Sequence, residues 1–184
     1  LTRWPSNLAL VALNSVVLRV AVPITAVGMA GVAAEQGWGV LYIISIDGGL
    51  AVFVAIILLD LAIYGQHVLF HAVPVLWRLH RMHHADQDID VTTGARFHPF
   101  EIVLSMGIKL AVVVLIGAPP LAVMLFEIIL NAAAMFNHGN VRLPIAIDRV
   151  LRWIIVTPDM HRVHHSVRKD ETNSNYGFNI PWWD

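Results

Sequence analysis

Residues 40–71 read VLYIISIDGGLAVFVAIILLDLAIYGQHVLFH. The part from Val40 to Tyr64 is apolar over enough residues to cross a bilayer as a helix, which needs about 20. His67 and His71 follow at i, i+4 spacing, so a continuing helix places both imidazoles on one face. The stretch therefore predicts a membrane helix that ends in a pair of candidate metal ligands.

The whole chain has the composition of a membrane protein. Of its 184 residues, 57% are hydrophobic and 14% charged, and the mean hydropathy is +0.66. Soluble domains average roughly 45–50% apolar and about 25% charged. Three further apolar stretches, Leu8 to Ala33, Ile102 to Ile116 and Leu121 to Phe136, bring the predicted membrane helices to four. The last two are joined only by residues 117–120, which predicts a helical hairpin.

Composition and motifs exclude several other classes. The formal net charge of −1 gives no reason to expect a nucleic-acid partner. The absence of cysteine excludes disulfides, thiolate metal sites and thiol catalysis. The chain has no HExxH peptidase motif, no Gly-x-Ser-x-Gly elbow and no Glu-x-x-His pattern of ferritin-like di-iron proteins.

The basic residues predict the orientation in the membrane. The connection after the second helix carries three arginines, and the segment after the fourth carries six basic residues. The two opposite connections, around Glu35 and at residues 117–120, carry none. The positive-inside rule therefore places both termini and the histidines in the cytoplasm. Arg19 and Lys109 lie within predicted spans, where a charge is costly, so we expect each to reach the interface or to pair with Asp47 or Glu127.

All ten histidines lie between His67 and His165, on the predicted cytoplasmic side. Besides the first pair, the motif HxxHH occurs twice, at residues 80–84 and 161–165. A single HxxxH or HxxHH motif is weak evidence, because helices produce i, i+4 histidine pairs by chance. One HxxxH and two HxxHH motifs at the same membrane boundary favour a metal site. Their eight imidazoles exceed the demand of one ion, so we predict two metal ions.

These motifs resemble the fatty acid hydroxylase/sterol desaturase superfamily. The segments that carry the resemblance are Asp60-x-x-x-Tyr64-x-x-His67-x-x-x-His71, Leu76-Trp77-Arg78-x-His80-x-x-His83-His84, Arg96-x-His98-Pro99-x-Glu101, His138-x-Asn140, His161-x-x-His164-His165 and Asn175-Tyr176-Gly177. The resemblance implies an all-α integral membrane protein with about four transmembrane helices under a His-rich cytoplasmic helical cap. It also implies a di-iron oxidoreductase that uses O₂ to hydroxylate or desaturate a C–H bond of a fatty acyl, sterol or related lipid.

The resemblance also implies a set of site residues. The metal ligands carried over are His67, His71, His80, His83, His84, His138, His161, His164 and His165. His98 lies in a family motif, either as a tenth ligand or as an anchor of the third helix. Candidates that would orient the ligating imidazoles are Asp60, Asp159, Asn140 and Glu101. Some members have a further histidine or aspartate where this chain has Asn140 and Arg142.

The implied cofactors are two iron ions, which zinc can replace in preparations, and O₂. Because the chain has no cofactor-binding motif, electrons are expected from an external donor, a cytochrome b5- or ferredoxin-like protein with its reductase. We expect one domain over residues 1–184, with membrane helices in 1–66, His-rich regions in 67–98 and 141–184, and the hairpin in 99–140. The natural protein is expected to extend beyond both ends of this sequence, so that the second His-rich region is truncated.

Two other functions fit some of the same residues. A zinc-dependent membrane hydrolase would use the same ligands, since imidazole binds both zinc and iron. A metal or proton transporter would distribute its histidines through the depth of the bilayer, whereas here the middles of all four predicted helices contain none.

Overall fold

The computed structural model describes residues 3–184, and this part of the chain is helical without any strand. The α-helices are α1 (Trp4–Ala21), α2 (Ala26–Gln36), α3 (Val40–Ile43), α4 (Gly48–Ala72), α5 (Pro74–His84), α6 (Pro99–Ile116), α7 (Pro120–Asn137), α8 (Ile145–Leu151), α9 (Pro158–His164) and α10 (Lys169–Thr172). Short 3₁₀ turns lie at Thr93–Ala95 and Pro181–Trp183.

Four segments are long and apolar enough to cross a membrane: Trp4–Ile43, Gly48–Ala72, Pro99–Ile116 and Pro120–Asn137. Large apolar side chains on their outer faces, such as Val20, Phe53 and Leu115, are exposed, as expected of helices that face lipid. The predicted all-α membrane class and the number of spanning segments are confirmed.

Two helix boundaries differ from the sequence prediction. The predicted first helix, Leu8 to Ala33, is interrupted at Pro23, because proline has no N–H to donate and its ring clashes with the preceding turn. The second half begins again at Thr25, whose hydroxyl accepts a hydrogen bond of 3.0 Å from the Gly28 N–H. The second long helix begins at Gly48 rather than Val40 and continues to Ala72, so it carries both His67 and His71.

Small residues allow the long helices to pack closely. α2 and α4 each pack against both α6 and α7. Alanines at these contacts, including Ala30, Ala55 and Ala122, are fully buried and let the backbones approach. The turn between α6 and α7 approaches the chain before α3 so closely that a Cβ on Gly39 would lie 2.1 Å from the Gly117 nitrogen.

The C-terminal segment folds as a cap on the end of the bundle where α4 and α7 finish. Asp60, within α4, ties this segment down, since its carboxylate accepts hydrogen bonds from Asn179 Nδ2 at 2.6 Å and Trp183 Nε1 at 2.7 Å. On the N-terminal side, Arg3 pairs with Asp86 at 2.7 Å and with Asp90 at 2.6 Å. These contacts hold the loops and short helices that carry the histidines against the membrane helices.

Candidate metal centre

Nine of the ten histidines gather at this end of the bundle, in two groups. Within each group, one nitrogen of every imidazole lies within 4.8 Å of the corresponding nitrogens of the others. The first group consists of His67, His71, His80, His84 and His164. The second consists of His83, His138, His161 and His165. No aspartate or glutamate of the described residues belongs to either group.

Each HxxHH motif contributes to both groups. His80 and His84 of α5 join the first group, and His83 joins the second. The second motif, at α9, does the reverse: His161 and His165 join the second group, and His164 joins the first. Residues four apart share a helix face, whereas the residue between them points about 100° away, so two facing helices of this pattern serve two neighbouring sites.

Backbone carbonyls determine which ring nitrogen of several histidines carries the proton. The Nδ1–H of His67 donates to the Tyr176 carbonyl at 2.7 Å, and that of His164 donates to the Ser174 carbonyl at 2.9 Å. The Nδ1–H of His138 donates to the Ala134 carbonyl at 2.7 Å. A carbonyl can only accept, so the Nε2 atom of each neutral ring is left with a free lone pair.

These lone pairs point at one another. His67 Nε2 lies 3.1 Å from His164 Nε2 and 3.1 Å from His80 Nε2. In the second group, His138 Nε2 lies 2.9 Å from His161 Nε2, and the Nδ1 of His161 has no partner among the described residues that would fix its tautomer. In the first group, two unprotonated nitrogens cannot form a hydrogen bond with each other, whereas a cation between them would satisfy both. The donor set therefore fits two metal ions with nitrogen ligands.

Other imidazole nitrogens in the cluster also lack partners. Both ring nitrogens of His71, His84 and His165 are buried and have no hydrogen-bond partner among the described residues. Buried polar atoms normally have a partner, and an unexplained exception points to an ion or water. These three rings therefore agree with the metal assignment.

Burial keeps the imidazoles outside the membrane spans neutral. It lowers the pKa of His83, His161 and His164 well below the usual histidine value, and the neighbouring imidazoles lower it further. Burial also lowers the pKa of His138 to about 4. Neutral imidazole is the form that binds metal, so the cluster needs no proton loss near neutral pH.

Of the four predicted orienting residues, one contacts the cluster. Glu101 Oε1 lies 2.6 Å from His80 Nδ1, and both side chains are almost fully buried. A carboxylate on the second nitrogen of an imidazole directs the other nitrogen toward a metal and makes it more basic.

The other three predicted partners do not contact a histidine in the structure. Asp60 binds the C-terminal segment, and Asp159 pairs with Arg162 three residues further along α9. Asn140 makes no hydrogen bond to an imidazole within residues 3–184. Glu101 is therefore the one of the four that forms a hydrogen bond with a histidine of the cluster.

His98 belongs to neither group. It caps α6, where its Nδ1 accepts a hydrogen bond of 3.2 Å from the Phe100 N–H. Its ring stacks against that of Phe100, with centroids 5.5 Å apart. This geometry is that of the helix anchor, and it does not place His98 with the candidate ligands.

Several contacts of the cluster were absent from the sequence prediction. The Ser174 and Tyr176 carbonyls reach His164 and His67 because Asn175 between them has a φ of 52°, a left-handed conformation that asparagine tolerates. Phe97 stacks on His83 with ring centroids 4.6 Å apart. The resemblance included the Asn175-Tyr176-Gly177 tail, but a sequence motif does not reveal which backbone atoms it presents.

A cavity of about 240 Å³ extends from the first group into the bundle. His67, His80 and Glu101 line its end at the metal centre, and Lys109 and Glu127 line it further inside the membrane span. Apolar side chains form much of the remaining wall, namely Ile63, Phe70, Ile102, Leu130 and Phe178. The cavity could hold a chain-like molecule against the candidate metal centre.

Comparison with known proteins gives relatives named as a lipid hydroxylase and as a monooxygenase. Ornithine lipid hydroxylase OlsE of Rhizobium tropici is 29% identical over 133 residues, which are 72% of this chain and 39% of that protein. Alkylglycerol monooxygenase is 27% identical in Xenopus tropicalis and 25% in Homo sapiens, over 68% of this chain and 27% of each relative. The chain thus spans well under half the length of these relatives. No solved structure matches the chain significantly.

The sequence profile of the fatty acid hydroxylase family matches residues 52–184. The match includes all ten histidines and both groups of the candidate metal centre. The chain therefore belongs to the fatty acid hydroxylase family.

Proposed function

We propose that this chain is the catalytic membrane region of an O₂-dependent lipid hydroxylase and that its two histidine groups bind two iron ions. The observation that carries the proposal is the convergence of imidazole nitrogens in two adjacent groups, in which backbone carbonyls leave the Nε2 atoms of His67, His164 and His138 unprotonated. Iron bound with an open coordination position would supply the O₂ activation that oxidation of an unactivated C–H bond requires.

The protein's own contribution is to hold and shield this centre. The carbonyls of Ser174 and Tyr176 and the carboxylate of Glu101 fix the orientation of His164, His67 and His80. Phe97 on His83, and Trp77 at 4.8 Å from His71, cover ring faces with apolar surface. This covering excludes water from the reacting atoms, which limits side reactions.

A lipid is the substrate class that this architecture favours. The cavity begins at His67 and His80 and runs between helices that cross the membrane, so a chain within it would present a C–H bond to the centre. The relatives are named as an ornithine lipid hydroxylase and an alkylglycerol monooxygenase, which supports hydroxylation of a lipid rather than desaturation.

The proposal also covers the orientation in the membrane, the electron donor and the extent of the domain. The histidine cap and both ends of the chain face the cytoplasm. The positive-inside rule supports this orientation, because Arg78, Arg81 and Arg96 lie between α4 and α6. A cytochrome b5- or ferredoxin-like protein, reduced by its own reductase, supplies electrons on that side. Residues 1–184 act as one membrane domain, in which residues 67–98 and 141–184 supply the histidines.

Metal analysis and product analysis together test the proposal. The protein purified after growth in iron-replete medium is expected to contain two metal ions per chain. With a reductant, O₂ and a lipid extract, it should yield lipids that have gained one oxygen atom, detected by mass spectrometry. His161→Ala should lose both properties, while His98→Ala, outside the groups, should keep both metals. One metal per chain, or activity with zinc alone, would exclude the di-iron hydroxylase.

A further inference from the structure

The cavity contains an ion pair at a depth where a plain hydrocarbon substrate would not need one. Lys109 Nζ lies 2.7 Å from Glu127 Oε1, and the two side chains are 13% and 30% exposed. Lys109 lies eight residues beyond Glu101 on α6, about 12 Å further along the helix axis. Charged groups within a membrane span are costly and are usually retained for a function.

Polar groups continue from this pair toward the metal centre. Gln66 Nε2 donates a hydrogen bond of 3.0 Å to Ser105 Oγ, and both residues line the cavity. Ser105 lies four residues after Glu101, about 6 Å along α6. The cavity therefore has polar contacts from about 6 to about 12 Å beyond Glu101, although Ile63, Ile102 and Leu130 make other parts of its wall apolar.

One hydrogen-bond acceptor among the polar side chains of the cavity has no partner. The Gln66 Oε1 atom is buried and makes no hydrogen bond to any described residue. Lys109, which also lines the cavity one turn beyond Ser105 on α6, is a strong donor, since an ammonium group carries three N–H bonds. An amide fits this arrangement, because its N–H can donate to the Gln66 oxygen and its carbonyl can accept from Lys109. An ester or an alkyl chain lacks the N–H.

Glu127 is shared by the walls of two pockets. It lines a second pocket, of about 460 Å³, beside the break between α1 and α2, together with Arg19, Pro23 and Met106. A lipid could enter from this side and pass the ion pair before its reacting carbon reaches His67 and His80. A chain that entered from this side would therefore meet the pair.

We propose that the Lys109–Glu127 pair and Gln66 form a recognition site for the amide linkage of an acylated lipid, which positions a carbon beyond that linkage at the metal centre. This inference rests on the proposed function only for the identity of the reaction. The binding itself requires neither turnover nor electrons, so the two proposals can be tested separately.

The test compares the binding of matched lipids to the detergent-solubilised chain, measured by native mass spectrometry without a reductant. The probes are aminohexanol acylated with dodecanoic acid, the corresponding dodecanoate ester of hexanediol, and nonadecanol, which has a chain of the same length without a linkage. A hydrogen bond to a charged group is typically worth about a factor of ten or more in binding. We therefore expect the amide to bind about tenfold more tightly than nonadecanol, with the ester between them.

The decisive variant replaces both charges at once, Lys109→Met with Glu127→Met, because removing one partner alone would leave an unpaired charge in the membrane. It should remain folded and lose the preference for the amide. The matched control removes the exposed ion pair of Arg168 and Asp170 by Arg168→Met with Asp170→Asn, and should keep the preference.

Equal binding of the amide and nonadecanol by the unmodified protein, or an unchanged preference in the double Met variant, would overturn the recognition site. Equal binding of the amide and the ester would overturn the role of Gln66 as acceptor. If the preference is present but no lipid gains oxygen under turnover conditions, the proposed function fails while the recognition site stands.

Discussion

The rings of His84 and His165 stack with centroids 4.4 Å apart and planes inclined by 17°, although the two residues belong to different histidine groups. They come from α5 and from the end of α9, so this stack is one of the contacts that join the two groups. Neither ring has a hydrogen-bond partner among the described residues, which leaves the nitrogens of both available for metal.

The division of the histidines into two groups predicts that the two metal ions can be lost independently. His84→Ala should release the ion of the first group and His165→Ala that of the second, each leaving about one ion per chain, because His84 belongs to the group of five histidines and His165 to the separate group of four. Both the His84→Ala and the His165→Ala variant should lose the proposed lipid hydroxylase activity. Metal content per chain, measured by elemental analysis, checks this, and loss of both ions from either variant would contradict two separable sites.

Glu101→Gln should weaken metal binding without removing the site. Glutamine can still accept the hydrogen bond from His80 Nδ1 but lacks the negative charge that makes the imidazole more basic. Changes to such outer partners typically cost about 10–100-fold in metal affinity or activity. Competition with a chelator measures the affinity. Glu35→Gln, at an exposed glutamate on α2, is the matched control and should bind metal as the unmodified protein does.

His98→Ala should affect stability rather than metal content. The substitution removes the acceptor for the Phe100 N–H at the start of α6, and loss of an N-terminal cap typically costs about 0.5–2 kcal/mol. We expect a lower Tm with both metals retained. His98→Asn, which keeps a side-chain acceptor, should recover most of the loss. A metal content of one ion per chain in His98→Ala would instead identify a tenth ligand.

The metal-free protein should lose stability as the pH falls from about 6.5 toward about 4. Burial lowers the pKa of His138 from its usual value of 6.5 to about 4 in the folded protein. Between these values the unfolded chain binds a proton that the folded chain does not, so acid favours unfolding, and the contribution is fully present only above about pH 6.5. His83, His161 and His164 add to the effect in the same direction.

Thermal unfolding of the chelated protein at a series of pH values measures this dependence. The metal-loaded protein provides the comparison, since bound ions stabilise the folded state and compete with protons for the same nitrogens. A Tm of the metal-free protein that does not change between about pH 7 and about pH 5 would contradict the prediction.

The membrane architecture followed from the sequence because it depends on local properties. A helix that crosses a bilayer needs only length and apolar composition, and α4, α6 and α7 have both. The candidate ligands were also visible, since the spacing of His67 and His71 is a property of one helix. The break at Pro23 was missed because the apolar composition continues across it, although proline itself was a local signal.

The orienting partners could not be deduced in this way, as Asp60 and Glu101 show. Asp60 lies seven residues before His67 on the same helix face, but two turns span about 10 Å, which is too far for a hydrogen bond. The C-terminal segment occupies its carboxylate instead. Glu101 reaches His80 because α5 and α6 pack together, although the two residues are 21 positions apart in the chain.

The division of nine histidines into five and four was likewise decided by tertiary structure. The sequence alone determined that the chain enters the membrane and that its imidazoles collect at one end, because hydropathy and helical spacing act over a few turns. How α5 faces α9, and which carbonyls near Asn175 turn toward His67 and His164, depends on packing between distant segments. Each HxxHH motif therefore identified its histidines without revealing that they serve two neighbouring sites.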